Sequence, residues 1–304
     1  MDFNKFKDYV KKHKIKTVAF AFLIILFIYI MTGLSEEIEY SYYDITSDRL
    51  PSDFDNCKII HISDFHDKEL EDYDSFIKKI ASEEPDFIFL TGDIMDKGST
   101  DLTQVDRLLS DIVDIAPVYA IDGNHEHDNY PVFYKLADLY KDYGVTFLFN
   151  ETISITADGT EVSRYINGEG TADTENSDNT AQTIDICGVA YVDEVYITGT
   201  YHRLKALNDD SPFSIMLYHC SNLFDEYYYY NYDLILAGHT HGGIIRFPLV
   251  GGLLSNDGTF FPKYTFGKFT KGKSTLIASK GLGDSILPRI HDKPDVGIIT
   301  LHCK

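Results

Sequence analysis

Lys58-Ile59-Ile60-His61-Ile62-Ser63-Asp64-Phe65-His66 reads as a β-branched strand that stops on an aspartate and a histidine. The chain then repeats that form twice. A helical stretch over residues 69–82, with Phe76, Ile77, Ile80 and Ala81 at helical spacing, is closed by Pro85. A strand over 86–90 ends at Thr91-Gly92-Asp93-Ile94-Met95-Asp96. A second helix over 102–115 carries Val105, Leu108, Leu109 and Ile112 on one face, and a strand over 117–121 ends at Asp122-Gly123-Asn124-His125-Glu126. Alternating strand and helix is the sequence form of βαβ units around a largely parallel sheet. In such a sheet the carboxyl ends of the strands share one edge, where ligands collect. Three polar clusters far apart in sequence are therefore expected to be neighbours in space.

Working outward, residues 130–143 read as a helix, 145–149 as a strand, and 151–155 with 161–166 as a hairpin around Asp158-Gly159. Residues 167–182 are polar and without periodicity, the composition of a mobile surface insertion. Strands resume over 183–190, a helix is expected at 201–207, and a strand over 213–218 ends at His219-Cys220. An apolar run over 232–237 leads into Gly238-His239-Thr240-His241-Gly242-Gly243. Two histidines separated by one residue can turn to the same place only if the backbone between them leaves the regular strand form. The flanking glycines permit that irregularity.

A chain of 304 residues with 44% apolar side chains can bury a large core. Its net charge of -21 counts against nucleic acid held through phosphates, and against adhesion of the folded part to an anionic bilayer. The four cysteines show no CxxC spacing, so neither a thiolate metal site nor a disulfide framework is indicated. The amino terminus differs from the rest. Residues 5–16 carry six lysines against one acid, Asp8, and residues 18–34 hold no charge. At about 1.5 Å per residue that run just spans a hydrocarbon core. No small-x-small cleavage site follows it, so residues 17–34 are expected to be an uncleaved single-pass anchor rather than a signal peptide. Lysines before it and acids after it place the basic segment, residues 1–16, in the cytoplasm and the remaining chain outside. Residues 35–56 are expected to be a linker with an edge strand at 38–43, and residues 57–304 the folded domain.

Asp64, His66, Asp93, Asn124, His219, His239 and His241 make a set of nitrogen and oxygen donors without thiolates. That chemistry suits zinc, manganese or iron. Seven donors are too many for one ion and suit two that share a carboxylate, as in two-metal hydrolases. HISDFH, TGDIMD, IDGNHE, LYHC and AGHTHGG together resemble, in order, the five blocks of the calcineurin-like metallophosphoesterase family. Ser279-Lys280-Gly281-Leu282-Gly283 and Pro288-Arg289-Ile290 further resemble its membrane-anchored or exported bacterial subgroup, which includes proteins similar to UDP-diacylglucosamine-cleaving enzymes.

The resemblance implies an α/β fold, a four-layer αββα sandwich carrying here an N-terminal transmembrane helix. It implies that Asp64, His66 and His241 bind one metal, that Asn124, His219 and His239 bind the other, and that Asp93 bridges them. It implies a hydroxide nucleophile, with His125 protonating the leaving oxygen and Asp96 orienting His125. Arg289 is a candidate phosphate clamp, because a guanidinium can hold two phosphoryl oxygens at once. The family often has glycine shortly after the first histidine, whereas Asp67-Lys68-Glu69-Leu70 follows here. The expected activity is hydrolysis of phosphate mono- or diesters or of pyrophosphates, on an envelope or lipid-linked substrate. The alternatives are a nucleotide phosphodiesterase or nuclease on the same metal core, and a non-catalytic metal-binding scaffold.

Overall fold

The computed structural model describes residues 14–166, 169–171, 182–191 and 212–304. It opens with an apolar helix, α1 (Lys14–Gly33), and a strand, β1 (Glu39–Ser47). The strand–helix repeats follow as β2 (Lys58–Ile62), α2 (Tyr73–Ser82), β3 (Phe87–Thr91), α3 (Thr103–Ile112) and β4 (Val118–Ile121). Next come α4 (Asn124–Asp128), α5 (Tyr130–Asp142), β5 (Thr146–Phe147) and the hairpin of β6 (Glu151–Ile155) with β7 (Glu161–Ile166). Then β8 (Glu169–Thr171), β9 (Ile184–Val189), β10 (Ser214–Cys220), α6 (Phe224–Tyr227) and β11 (Leu234–Gly238) lead to β12 (Arg246–Phe247) and β13 (Gly251–Gly252). The chain ends with β14 (Gly267–Lys271), β15 (Ser274–Ala278) and β16 (Asp295–Cys303). The helix expected at 201–207, most of the insertion expected at 167–182, and the basic residues 1–13 lie outside the described residues.

Two sheets carry the domain. One has the order β1-β16-β2-β3-β4-β5, the other β14-β15-β11-β10-β9-β6-β7-β8. Strands β2 to β5 run parallel, as the alternation predicts. The second sheet mixes parallel pairs with antiparallel ones at both ends, so a largely parallel reading describes only part of the molecule. The edge strand expected at 38–43 runs on to Ser47, because β1 pairs along its whole length with the carboxyl-terminal β16, a partner remote in sequence.

Side-chain alternation explains the layers. Ile59, Phe87, Phe89 and Tyr119 meet Ile215, Leu217, Leu234 and Leu236 between the two sheets. Their strand neighbours Ile60, Ile88, Leu90 and Ala120 face the other way, onto α2, α3 and α5. Met216, Tyr218 and Ile235 turn to the outside of the second sheet, where Phe224 and Tyr227 of α6 cover them. A strand buried on both faces reads as a continuous apolar run, which is how these strands read. Each large apolar side chain so enclosed contributes roughly 1.5–3 kcal/mol.

Helix limits follow local chemistry. The Asp72 side chain accepts from Ser75 N at 3.2 Å and starts α2 there, later than the expected 69. Phe76 and Ile80 then share its buried face. Asp67 Oδ1 accepts from the main-chain nitrogens of Gln104 and Val105, each at 2.9 Å, at the start of α3. The loop after His66, which lacks the family's glycine, is thus held by a carboxylate on a helix amino terminus.

Candidate active site

Asp64 and His66 follow β2, Asp93 follows β3, Asn124 and His125 open α4 after β4, His219 lies in β10, and His239 and His241 follow β11. All seven expected donors converge where these strand ends of the two sheets meet. His219 differs slightly from expectation, since β10 continues through it to Cys220.

Convergence requires unusual backbone. Asp64, His66, Asp93, His239 and His241 all have positive φ, between 45° and 75°. For residues with a Cβ this costs on the order of 1–3 kcal/mol each and persists only where the surroundings impose it. Here it turns consecutive side chains toward one point, as the HxH spacing requires. Gly238 is one place where glycine is obligatory, since a Cβ there would fall on Ser63 Oγ and Asp64 Oδ2.

Three overlapping groups have ligand atoms within 4.8 Å of one another: Asp64, His66 and His241; His66, Asp93 and His125; and Asp93, His219 and His239. His66 Nε2 and His241 Nε2 are 3.0 Å apart, and His241 Nε2 is 3.3 Å from Asp64 Oδ1. On the other side, His219 Nε2 is 3.2 Å from Asp93 Oδ2, and His239 Nδ1 is 2.9 Å from Asn124 Oδ1. Donor atoms held at roughly 2.0–2.2 Å from one cation come about this close to each other. His219 Nδ1 is turned to the Thr91 carbonyl at 2.8 Å, which leaves the buried Nε2 facing Asp93. That is how a ligating histidine is oriented. The donor set therefore fits divalent cations.

The charges agree. Burial, then the neighbouring His241, pull His66 down to about 3. Burial and the adjacent His219 pull His239 down to about 4. Both imidazoles are thus neutral donors at ordinary pH. Burial also opposes charge on His219, but Asp93 and Asp64 together raise it to about 10, so this imidazole carries a proton that a bound cation would have to displace. Burial works against ionisation of Asp93 too, yet the surrounding imidazoles hold it well below the usual carboxylate range.

His125 is buried at the floor of the same cleft. Its Nδ1 accepts from Lys97 N at 3.0 Å, which leaves Nε2 as the protonated nitrogen, 3.8 Å from Asp93 Oδ2. Asp96 Oδ2 is 3.3 Å from His125 Nδ1, and Asp96 Oδ1 accepts from Gly98 N at 2.7 Å. With Nδ1 accepting, it is the main chain of Lys97 that holds the ring, and Asp96 is a neighbour of this nitrogen without a hydrogen bond to it in that tautomer. The cleft measures about 910 Å³, and Tyr191, Asn256, Thr259 and Ile286 also line it.

Arg289 does not reach the cleft as a phosphate clamp would. It is buried behind His241, with Nη2 3.1 Å from His241 Nδ1, and it donates to the Gly283 carbonyl at 2.9 Å. Nη1 faces Asp292 at 3.4 Å. The sequence offered only an arginine; its direction is set by packing. Glu126 was not singled out from the sequence, yet its carboxylate accepts from the main-chain nitrogens of Gly123, Asp93, Ile94 and Met95 at 2.7–3.3 Å. It thereby ties the loop of Asp93 to the start of α4. Burial, then Asp93, push its carboxyl upward, and the main-chain donors of Gly123 and Met95 pull against that shift. Its position three residues after Gly123, opening a helix, was the available signal. Tyr227, Tyr228 and Tyr230 pack on the outer side of the second sheet together with Cys220, and Tyr229 is exposed.

The family model described as Calcineurin-like phosphoesterase matches residues 57–243. An "Uncharacterized metallophosphoesterase YkuE" of Bacillus subtilis (strain 168) is 30% identical over 278 residues, 87% of this chain and 85% of that protein. The "Phosphodiesterase YaeI" of Escherichia coli (strain K12) is 26% identical over 284 residues, 88% of this chain and 92% of that protein. Among solved structures, TT1561 of Thermus thermophilus aligns with a TM-score of 0.43 at 15% identity, over 75% of this chain and 90% of that one.

Proposed function

The chain belongs to the calcineurin-like phosphoesterase family, and from that premise we propose that it hydrolyses phosphate mono- or diester or pyrophosphate bonds of an envelope substrate at a two-cation centre. The observation that supports this best is the sharing of Asp93 and His66 between overlapping donor groups. Asp64, His66 and His241 would hold one cation, Asn124, His219 and His239 the other, with Asp93 between them. Divalent zinc, manganese or iron bound there would supply an activated water and neutralise phosphoryl charge.

The chain's own groups do the rest. Asp93 is held ionised and aimed, since its Oδ1 accepts from His125 N at 2.8 Å. His125 presents Nε2–H on the cleft side, as a proton donor to the leaving oxygen or to a phosphoryl oxygen. Lys97 N fixes the tautomer and Asp96 lies beside the same nitrogen. Arg289 and Glu126 position donors rather than touch substrate.

Helix α1 is long and apolar enough to cross a membrane. We read it as an uncleaved anchor with the domain outside the cytoplasm, because lysines precede it and Ser35-Glu36-Glu37 follows. A tether of this kind favours a substrate that is itself at the membrane.

The test is elemental analysis of the purified chain, with hydrolysis of nitrophenyl phosphate and bis-nitrophenyl phosphate by wild type and Asp93→Ala. Wild type is expected to hold metal and to hydrolyse at least one ester, and the variant to lose both by ~10²-fold or more. A metal-loaded wild type inert on both esters and on lipid pyrophosphates would favour a scaffold.

A further inference from the structure

We propose that three loops beside the cleft enter the membrane surface, so that the mouth of the site opens at the headgroup level and takes amphiphilic phosphates from the bilayer. This rests on the anchor reading of α1. Beyond residue 34, and among the described residues, the exposed large aliphatic and phenylalanine side chains are Phe149 and six others. Those six are Leu249, Val250, Phe260, Phe261, Ile286 and Leu287. They are not scattered. Leu249 and Val250 form the tip of the β12–β13 hairpin, and Leu249 is fully exposed. Phe261 N donates to the Leu253 carbonyl at 2.8 Å, and Ile286 N to Asn256 Oδ1 at 3.1 Å, so the three loops are tied together. A soluble surface seldom gathers six such groups on adjoining loops without a partner.

The partner is indicated by what already touches this face. The Tyr29 ring of α1 stacks on Phe247 at 5.3 Å and packs on His291 at 4.2 Å. His291 N donates to the Gly33 carbonyl at 2.8 Å. Tyr29 is one turn inside the helix from Gly33, about 6 Å toward the bilayer at 1.5 Å per residue. Phe247 therefore sits level with the last apolar turn of the anchor, and Leu249 and Val250 adjoin it. Groups at the boundary of headgroups and chains are typically buried by about 5–10 Å. Ile286 lies both in this patch and in the wall of the cleft, beside Asp284 and Ser285. The attraction is apolar rather than ionic, as the net charge of -21 requires.

The experiment uses the full chain in phosphatidylcholine vesicles, with Cys303→Ser removing the one cysteine that is not buried. An environment-sensitive dye is placed singly at Phe22→Cys in α1, at Leu249→Cys, at Phe261→Cys, and at Tyr165→Cys toward the far edge of the second sheet. Far-ultraviolet circular dichroism and a cooperative melting transition matching the unlabelled chain verify that each labelled chain is folded, whatever ester it hydrolyses. Quenching by nitroxide-labelled lipid is expected at 22, 249 and 261, at least about threefold stronger than at 165 for a shallow insertion. Quenching at 22 alone would overturn the docking while leaving the anchor standing. No quenching at 22 would remove the anchor reading and the inference with it. Equal quenching at 165 would mean unspecific adsorption and would also overturn it.

Discussion

His219 Nε2 lies 3.2 Å from Asp93 Oδ2 although the two residues belong to different sheets. Asp93 follows the central β3 of the six-stranded sheet, and His219 is in β10 of the eight-stranded one. The hydrogen bond from His219 Nδ1 to the Thr91 carbonyl, at 2.8 Å, fixes the imidazole to the opposite sheet. The site is therefore a seam, and it exists only while the core between the sheets holds them together.

His125→Ala should keep bound metal and lower ester hydrolysis by about 10²–10⁴-fold, the usual yield of a positioned proton donor. Metal content by elemental analysis and turnover of esters with good and poor leaving groups check this. A donor to the leaving oxygen loses most on the poor leaving group; equal loss on both would point to phosphoryl stabilisation instead.

Glu126→Gln keeps the side chain's shape but puts an amide donor against a cradle of main-chain donors. We expect a loss of about 1–3 kcal/mol in urea unfolding, since one buried N–H or more loses its acceptor. Metal affinity should weaken by roughly 10–100-fold, because the loop of Asp93 is no longer fixed. Wild-type affinity in the variant would refute the role given to this carboxylate.

Arg289→Met separates a positioning role from a phosphate clamp. Removing the guanidinium leaves the buried Asp292 without its Arg289 contact and should cost about 3–5 kcal/mol. Metal affinity should fall as His241 loses its support. A clamp would instead raise KM while leaving the melting temperature and metal content unchanged.

Asp295 supplies the pH test, away from the donor set. Burial, only partly offset by Ser41 and Lys280, raises its carboxyl to about 6 in the folded chain. Its ordinary value is 3.8, so the folded state binds the proton more tightly. This group therefore favours folding more as pH falls from above 6 toward 4, and opposes it when ionised. Asp295→Asn keeps the Ser41 contact without the charge. It should raise the melting temperature above pH 7, by an amount equivalent to about 3 kcal/mol or less. The advantage over wild type should vanish near pH 4. A difference that is flat across this range would contradict the assignment.

Some of this was legible before any fold was known. Strand limits at β2, β3 and β4, the hairpin of β6 and β7, and the gathering of the Asp64, Asp93 and Asn124 clusters at one sheet edge follow from local patterns. A β-branched run buries itself, and a polar cluster that ends it must stay at the rim. The apolar run at the amino terminus was equally plain, since length and absence of charge are properties of the chain itself. The second sheet was not legible from alternation, because its order joins strands distant in sequence. Nor were the roles of Glu126 and Arg289, whose residue types fit a surface pair or a ligand contact equally well. By itself the sequence determined which backbone segments form strands and which residue types arrive at their ends. The tertiary structure alone decided which buried charge faces which donor, because that depends on contacts between β3, β10 and the loop at 281–292, which no local pattern encodes.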